Sequence, residues 1–330
     1  MEKEMIPETL YFVIPCYNEQ EVLPETARRL RSKLSGLVSS RTVSEESRIV
    51  FVNDGSTDAT WFLITQLHEQ DPVFSGINLS LNRGHQNALL AGLLTVRRYA
   101  DMVISMDADL QDDIDASDEM IRKYYAGADI VYGIRSSRTS DTFFKRTTAE
   151  AFYKMMNMMG VKTLPDHADY RLMSRRALAA LSEFREVNLF LRGIVPMIGF
   201  NEDVVYYERA ERFAGSSKYP LRKMMAFAME GVTSLSTRPI HMITGLGIFI
   251  FVVSILMLIW SLIRHAMGAT IIGWSSMYVS IWAIGGLILL SLGIIGEYIG
   301  KIYLESKDRP RFIIEEFLDS DHGFETRKKQ

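Results

Sequence analysis

The stretch RIVFVNDGSTDAT, residues 48–60, passes without a break from an apolar run into a polar turn and then into a helix start. Ile49, Val50, Phe51 and Val52 form the continuous apolar run expected of a strand buried on both faces. Gly55 and Ser56 make the turn, and Thr57 or Asp58 stands where it would cap a helix over residues 59–70. Strand, polar turn and helix in that order are the first half of a βαβ unit, in which a helical crossover joins parallel strands.

The same sequence of features recurs on both sides. LYFVIP (10–15) leads into CYNE and helical spacing over 21–38. GINLSL (76–81) leads into NRGH and a helix over 85–99, and MVISMD (102–107) into DADLQ and a helix over 116–126. DIVYGI (129–134) ends in IRSSR. Five strands alternating with helices predict an open, mostly parallel α/β sheet. Ligands of such sheets lie beyond the carboxyl ends of the strands, and the five polar clusters all fall at those ends. They describe a cleft. Further on, residues 140–159 read as helix, PDHADYRL (165–172) as a polar turn, and 175–184 as helix.

Composition narrows the partners. Lys and Arg total 37 against 40 Asp and Glu, a net charge of −3. With no basic stripe interleaved with aromatics, nucleic acid is not an expected partner. The single cysteine, Cys16, excludes an intramolecular disulfide framework and a multi-cysteine zinc site, in keeping with a reducing compartment. MEKEMIPETLYFVIP at the start lacks the features of a signal peptide.

A composition shift follows. Between residues 240 and 296 the only strongly charged residue is Arg264. The apolar runs 240–263 and 276–296 each meet the requirement of roughly 20 residues for a bilayer core, with Trp260, Trp274 and Trp282 near their ends. Arg222, Lys223 and Arg238 precede the first run, and Lys301, Lys307, Arg309 and Arg311 follow the second. The positive-inside rule then puts both termini in the cytoplasm of a multi-pass cell-membrane protein. Before the first run, Arg222 and Lys223 beside Met224, Met225 and Phe227 suggest amphipathic helices at a membrane surface, or else core packing. The expected organisation is a cytosolic domain over 1–213, interface helices over 214–238, two transmembrane helices over 239–300 and a cytosolic tail over 301–330. The small-residue face in GGLILLSLG offers a surface for helix packing and a homo-oligomer.

The chemistry centres on VISMDADLQDD, residues 103–113. Asp107 and Asp109, separated by one residue in a turn, can both reach a hard divalent cation that leaves coordination positions for phosphates. Gln111 adds a neutral oxygen. An Asp-x-Asp after a strand also occurs in haloacid-dehalogenase-like phosphatases, where the first Asp is the nucleophile. Those proteins carry Thr or Val where Gln111 stands, on the first strand rather than the fourth. Asp112 and Asp113 read as a solvated turn that caps the next helix. The Gly-rich phosphate cradles of P-loop and dinucleotide-binding proteins are missing, and His85, His167 and His241 lack zinc-ligand spacing.

VIPCYNE, FVNDGSTDAT, LNRGHQNALLAG, MDADLQDD, YGIRSSR, DHADYRLMSRRAL and RFAGSSKYPLRK, in this order and ahead of two apolar runs, resemble a family-2 glycosyltransferase. The resemblance covers residues 8–310. It points to the polyprenyl-phosphate branch, which includes bactoprenol glucosyltransferases and dolichol-phosphate mannose synthases. It implies a GT-A-type nucleotide-sugar-binding α/β domain followed by interface helices and two transmembrane helices. Pro15, Tyr17, Asn18, Glu19 and Asp54 match positions that hold the uracil and ribose of a nucleotide-sugar donor. Asp107, Ala108, Asp109 and Gln111 match the metal and diphosphate site, with Mg²⁺ or Mn²⁺ as cofactor.

Arg135, Arg138, Arg212, Ser217 and Lys218 match positions that receive the polyprenyl-phosphate acceptor, and Lys145, Arg146 and Arg209 are further cationic candidates. Asp169 corresponds to the acidic residue near the reacting centre, with Asp166 close by. Whether either acts as a base or only orients is left open, since a phosphate acceptor is already ionised near neutral pH. Relatives often have Gly where Ala168 stands and Phe where Tyr170 stands. The implied reaction is an inverting transfer of a hexose, glucose or N-acetylglucosamine, from a UDP-sugar to undecaprenyl phosphate. A non-catalytic recruitment protein built on the same domain is the alternative, and a processive synthase lacks its Gln-x-x-Arg-Trp motif here.

Overall fold

The structure is a computed structural model that describes residues 7–136, 167–208, 233, 236–267 and 274–320. The chain divides into two compact units: Met1–Tyr153, Lys162–Tyr219 and Pro310–Gln330 form one, and Lys154–Val161 and Pro220–Arg309 the other.

In the first unit the predicted alternation is present: β1 (Leu10–Cys16), α1 (Leu23–Ser39), β2 (Arg48–Asn53), α2 (Thr60–Gln70), β3 (Phe74–Leu79), α3 (His85–Val96), β4 (Met102–Ser105), α4 (Ala116–Tyr125) and β5 (Ile130–Arg135). Then come β6 (His167–Ser174), α5 (Arg175–Leu181), α6 (Leu191–Met197), β7 (Glu202–Tyr207) and, near the end of the chain, β8 (Ile314–Leu318). One eight-stranded sheet results, in the order β7-β5-β6-β4-β1-β2-β3-β8. β1, β2, β3 and β4 are mutually parallel where they pair, as are β5 and β7. β6 runs antiparallel to both its neighbours, and β8 antiparallel to β3.

Four elements differ from the sequence reading. PDHADYRL is no polar turn: from His167 onward it is the sheet strand β6. Tyr170 and Leu172 join the apolar core, while the alternate residues Asp169 and Arg171 are buried and paired with each other at 2.7 Å. A strand whose polar face is satisfied internally lacks the outward signature of one. The tail expected over 301–330 supplies β8, whose Phe317 is buried. β7 and the short α6 were also not anticipated. The helix expected over 140–159 lies outside the described residues, as do most of the interface helices expected over 214–238.

The core packs α1 on one side of the sheet through Leu23, Ala27, Leu30 and Leu34 against Leu10, Phe12, Ile14 and Phe51. Helix α3 comes so close to the sheet that a Cβ on Gly92 would lie 2.5 Å from Val13 Cγ1 and 2.8 Å from Val52 Cγ2. Gly55 has φ +62°, and a Cβ there would lie 2.5 Å from the backbone nitrogen of Asn82. Glycine thus fits both the tight turn after β2 and its contact with the loop after β3.

The second unit contains α7 (Arg238–Ala266, 29 residues) and α8 (Trp274–Ser306, 33 residues). At 1.5 Å per residue they are roughly 44 and 50 Å long. Among the described residues one segment, Ile284–Ser306, is long and apolar enough to cross a membrane. Leu246, Ile248, Phe249, Leu256, Leu289 and Leu290 all stand exposed on the two helices. The Tyr298 hydroxyl donates to the Ser236 carbonyl at 2.6 Å.

Candidate active site

The carboxyl ends of β1, β2, β3, β4, β5 and β7 share one edge of the sheet. Because β6 is antiparallel, its amino end arrives there too. Ser105 pairs with Arg171, and continuing that register by two residues sets Asp107 across from Asp169. The Ser105 hydroxyl donates to the Asp169 carbonyl at 2.6 Å, which fixes the approach.

Asp169 lies at the centre of a charged group. Its carboxylate accepts from Arg171 Nη2 at 2.7 Å and from Arg192 Nη2 and Nε at 3.2 and 3.4 Å. His85 Nε2 is 3.4 Å from Asp169 Oδ2 and 3.6 Å from Asp107 Oδ1. Burial alone would raise the Asp169 carboxyl, but Arg192, His85 and Arg171 together hold it well below the usual carboxylate range. Burial favours a neutral His85, yet Asp169 and Asp107 outweigh it and raise its pKa. Asp107 goes the other way. Burial pushes its carboxyl up to about 6; His85 opposes this, while Asp112, Asp169 and Asp109 add to it.

The turn that carries the paired acids is fixed from several directions. Ala108 is buried and its carbonyl accepts from Thr26 Oγ1 on α1 at 2.8 Å. Asp109 Oδ1 accepts from the Gln111 backbone at 3.2 Å. Leu110, with φ +58°, turns the chain inward. Asp113 keeps its expected place, exposed and accepting from the Asp115 backbone at 3.0 Å. Asp112 does not. It is 3% exposed and accepts from Tyr207 Oη at 2.5 Å and Arg135 Nη2 at 3.3 Å, so it is an anchor in the interior rather than part of a solvated turn.

The residues that the resemblance matches to a nucleotide-sugar donor sit beyond β1 and β2. Pro15 is buried in β1, and Tyr17, Asn18 and Glu19 follow it, Tyr17 being 47% exposed. Asn18, with φ +55°, accepts from the Thr57 backbone at 2.9 Å, tying this turn to the one after β2. The Asp54 oxygens accept from the Arg83 and Gly84 backbones at 2.7 and 2.9 Å, which shapes the NRGH loop that delivers His85. Burial raises the Asp54 carboxyl in spite of those bonds. Arg135 ends β5 at the same edge. Asp166, Arg138, Lys145, Arg146, Arg209, Arg212, Ser217 and Lys218 lie outside the described residues.

Sequence reading missed Arg171, Arg192, His85 and Asp112 as members of this group. His85 stood in one of the five clusters, Asp112 in VISMDADLQDD and Arg171 in DHADYRL, while Arg192 carried no signal. Arg192 is delivered by the short α6, whose Leu191 backbone donates to Gln86 Oε1 at 2.8 Å.

The acid pair meets the demands of a hard cation bound jointly with phosphates. Among the described residues no three His, Cys, Asp or Glu side chains group to hold a metal by themselves. Mg²⁺ sites of the phosphate-handling kind need only one or two carboxylates, the substrate completing the sphere. An Asp107 carboxyl raised to about 6 among three other carboxylates is a site that added positive charge would relieve. Asp107, Asp109 and the Gln111 amide therefore suit a divalent ion.

A mostly parallel sheet with acids and arginines converging at its carboxyl edge is here the framework of a glycosyltransferase with a GT-A-like α/β fold. The chain belongs to glycosyl transferase family 2, whose model matches residues 11–182. It is 50% identical over 93% of its length to an uncharacterized glycosyltransferase of Bacillus subtilis (strain 168), YkoT, covering 91% of that protein. It is 40% identical over 92% of its length to the bactoprenol glucosyl transferase of Shigella phage SfV, covering 96% of that protein. Among solved structures, glucosyl-3-phosphoglycerate synthase from Mycobacterium tuberculosis, crystallised with Mn²⁺, UDP and glucosyl-3-phosphoglycerate, aligns over 69% of this chain and 78% of that one. Identity there is 16% and the TM-score 0.42.

Proposed function

We propose that this glycosyltransferase moves a hexose, glucose in the first instance, from a UDP-sugar to undecaprenyl phosphate at the cytoplasmic leaflet, with inversion, for modification of a cell-envelope glycan. The observation that carries the reading is similarity to bactoprenol glucosyl transferases over 92% of the chain, a span that includes the sheet-edge site and the apolar helices.

The site's chemistry supports it. In an inverting transfer an acceptor phosphate oxygen forms a bond to the anomeric carbon as the bond to the diphosphate breaks, and UDP departs with the electron pair. A divalent ion, when bound, supplies Lewis-acid stabilisation of that leaving group; Asp107, Asp109 and Gln111 would hold it. Asp169 is saturated by Arg171, Arg192 and His85, so it is poorly suited to take up a proton. An acceptor that is already an anion has none to give. In this reading Asp169 orients, and Arg192 and His85 add positive charge beside the breaking bond. Arg135 meets the incoming phosphate.

The anchor reading draws on connectivity. β7 precedes α7 and α8 and β8 follows them, yet both strands belong to one sheet. A chain that leaves a sheet and returns to it crosses any membrane an even number of times, which supports two spans rather than one.

The test is a donor panel. Purified full-length protein with Mg²⁺ or Mn²⁺, undecaprenyl phosphate and each of UDP-glucose, UDP-N-acetylglucosamine and GDP-mannose should yield a glucosyl lipid from UDP-glucose. Activity with GDP-mannose alone would overturn the donor assignment.

A further inference from the structure

Asp112 is a carboxylate the proposed chemistry does not use, buried at the floor of the acceptor side. Its side chain is 1% exposed. Oδ1 accepts from the Tyr207 hydroxyl at 2.5 Å and from Arg135 Nη2 at 3.3 Å, and Arg135 Nε donates to the same Tyr207 oxygen at 3.2 Å. These bonds close a triangle among the end of β5, the end of β7 and the turn after β4. Asp112 Oδ2 is buried without a hydrogen-bond partner. Retaining a desolvated carboxylate with one oxygen unsatisfied is unfavourable, and such exceptions call for a reason beyond packing.

The geometry points to a positioning pair: Asp112 and Tyr207 hold the Arg135 guanidinium in one orientation to receive the acceptor's phosphate monoester, a role that rests on the proposed acceptor. Each part of the surroundings serves to immobilise it. Tyr170 packs edge-on against the Tyr207 ring, centroids 5.3 Å apart at 83°, and its own hydroxyl donates to the Asp113 carbonyl at 2.9 Å. The Ser136 backbone and hydroxyl both donate to the Tyr207 carbonyl at 2.9 Å. Arg135 keeps 26% of its side chain exposed at the cleft. A long side chain ordered before its ligand arrives loses less freedom on binding, and binds more tightly for that reason. The bonds also join Arg135 to the turn that carries Asp107 and Asp109. The acceptor-side cation is thereby indexed to the donor-side acids.

Two readouts on the full-length protein in detergent test this. The first is equilibrium binding of dodecyl phosphate and, separately, of UDP with Mn²⁺; the second is initial rates with donor and acceptor varied in turn. Tyr207→Phe, which keeps the ring against Tyr170, should weaken dodecyl phosphate binding and raise the acceptor KM about tenfold with UDP binding unchanged, while Tm falls because buried Asp112 loses its shortest hydrogen bond. The tenfold change corresponds to about 1.4 kcal/mol. Asp112→Asn, which retains an accepting oxygen, should fall between Tyr207→Phe and the wild type. Adding Tyr207→Phe to Arg135→Ala should cost nothing further, because the pair acts only through that arginine.

An unchanged acceptor KM in Tyr207→Phe, equal losses for both substrates, or additive losses with Arg135→Ala would overturn the pairing. Wild-type protein that binds dodecyl phosphate, with the variants graded as above, but makes no sugar-lipid supports the pairing and refutes the reaction. Wild-type protein that binds no phosphate monoester refutes both.

Discussion

At the scale of single residues the site is a balance of charge, and each carboxylate has a different position in it. The Asp107 carboxyl, ordinarily at 3.8, is raised to about 6 in the fold. A raised folded value means that its contribution to stability is fully present below 3.8 and is lost as pH rises through about 6. A cation at the site reverses the loss. The Mn²⁺-induced rise in Tm should therefore be largest above pH 6 and shrink as pH falls through it, since protons then compete with the ion. A thermal series across pH reads this directly; a metal effect that grows on acidification would contradict it. Asp107→Asn or Asp109→Asn should abolish metal-dependent turnover with the fold intact.

Asp169 behaves oppositely. Its carboxyl is held below the ordinary range, so its contribution is present above 3.8 and lost as pH falls through the lower folded value. Asp169→Asn leaves Arg171, 1% exposed, without its charge partner and should destabilise by about 3–5 kcal/mol in denaturant titrations. Asp169→Leu combined with Arg171→Met should recover most of that stability while remaining inactive, which separates the structural from the functional effect. Asp107 and Asp109 were legible in the sequence because they are neighbours in one turn. Arg171, Arg192 and His85 were not, because β6, α6 and the loop after β3 meet only in the folded chain.

At the scale of elements, packing between α3 and the sheet sets a narrow tolerance. Gly92→Ala brings a methyl against Val13 and Val52 and should cost about 1–3 kcal/mol, measured by equilibrium unfolding. The five strands that alternate with helices are written as apolar runs ending in polar turns, and sequence reading found all five within a few residues. β6 escaped because its buried Asp169 and Arg171 look like loop residues. β8 escaped because an edge strand reading IEEFL buries only Phe317 well. Pairing with β3 makes that strand part of the sheet's closure. Deleting residues 314–330 should expose the β3 edge and promote aggregation in light-scattering assays.

For the whole molecule, the return of the chain to one sheet on both sides of α7 and α8 is the feature that constrains topology. Cys16 is buried, and burial raises its thiol, so introduced cysteines report without interference. Thr270→Cys should react with a membrane-impermeant maleimide from the opposite side to Ser320→Cys in sealed vesicles. Reaction of both from one side would contradict two spans. Under the proposed function, two spans would hold the glycosyltransferase unit beside its lipid-borne acceptor, joining a soluble activated sugar to a lipid phosphate.

The most direct test of that claim is mass analysis of the lipid formed when full-length protein in vesicles containing undecaprenyl phosphate receives UDP-glucose and Mn²⁺. The account predicts undecaprenyl phosphate heavier by one glucose, with UDP released in equal amount, and none of it from Asp109→Asn. Release of glucose and UDP with no glucosylated lipid, or an active Asp109→Asn, would contradict it.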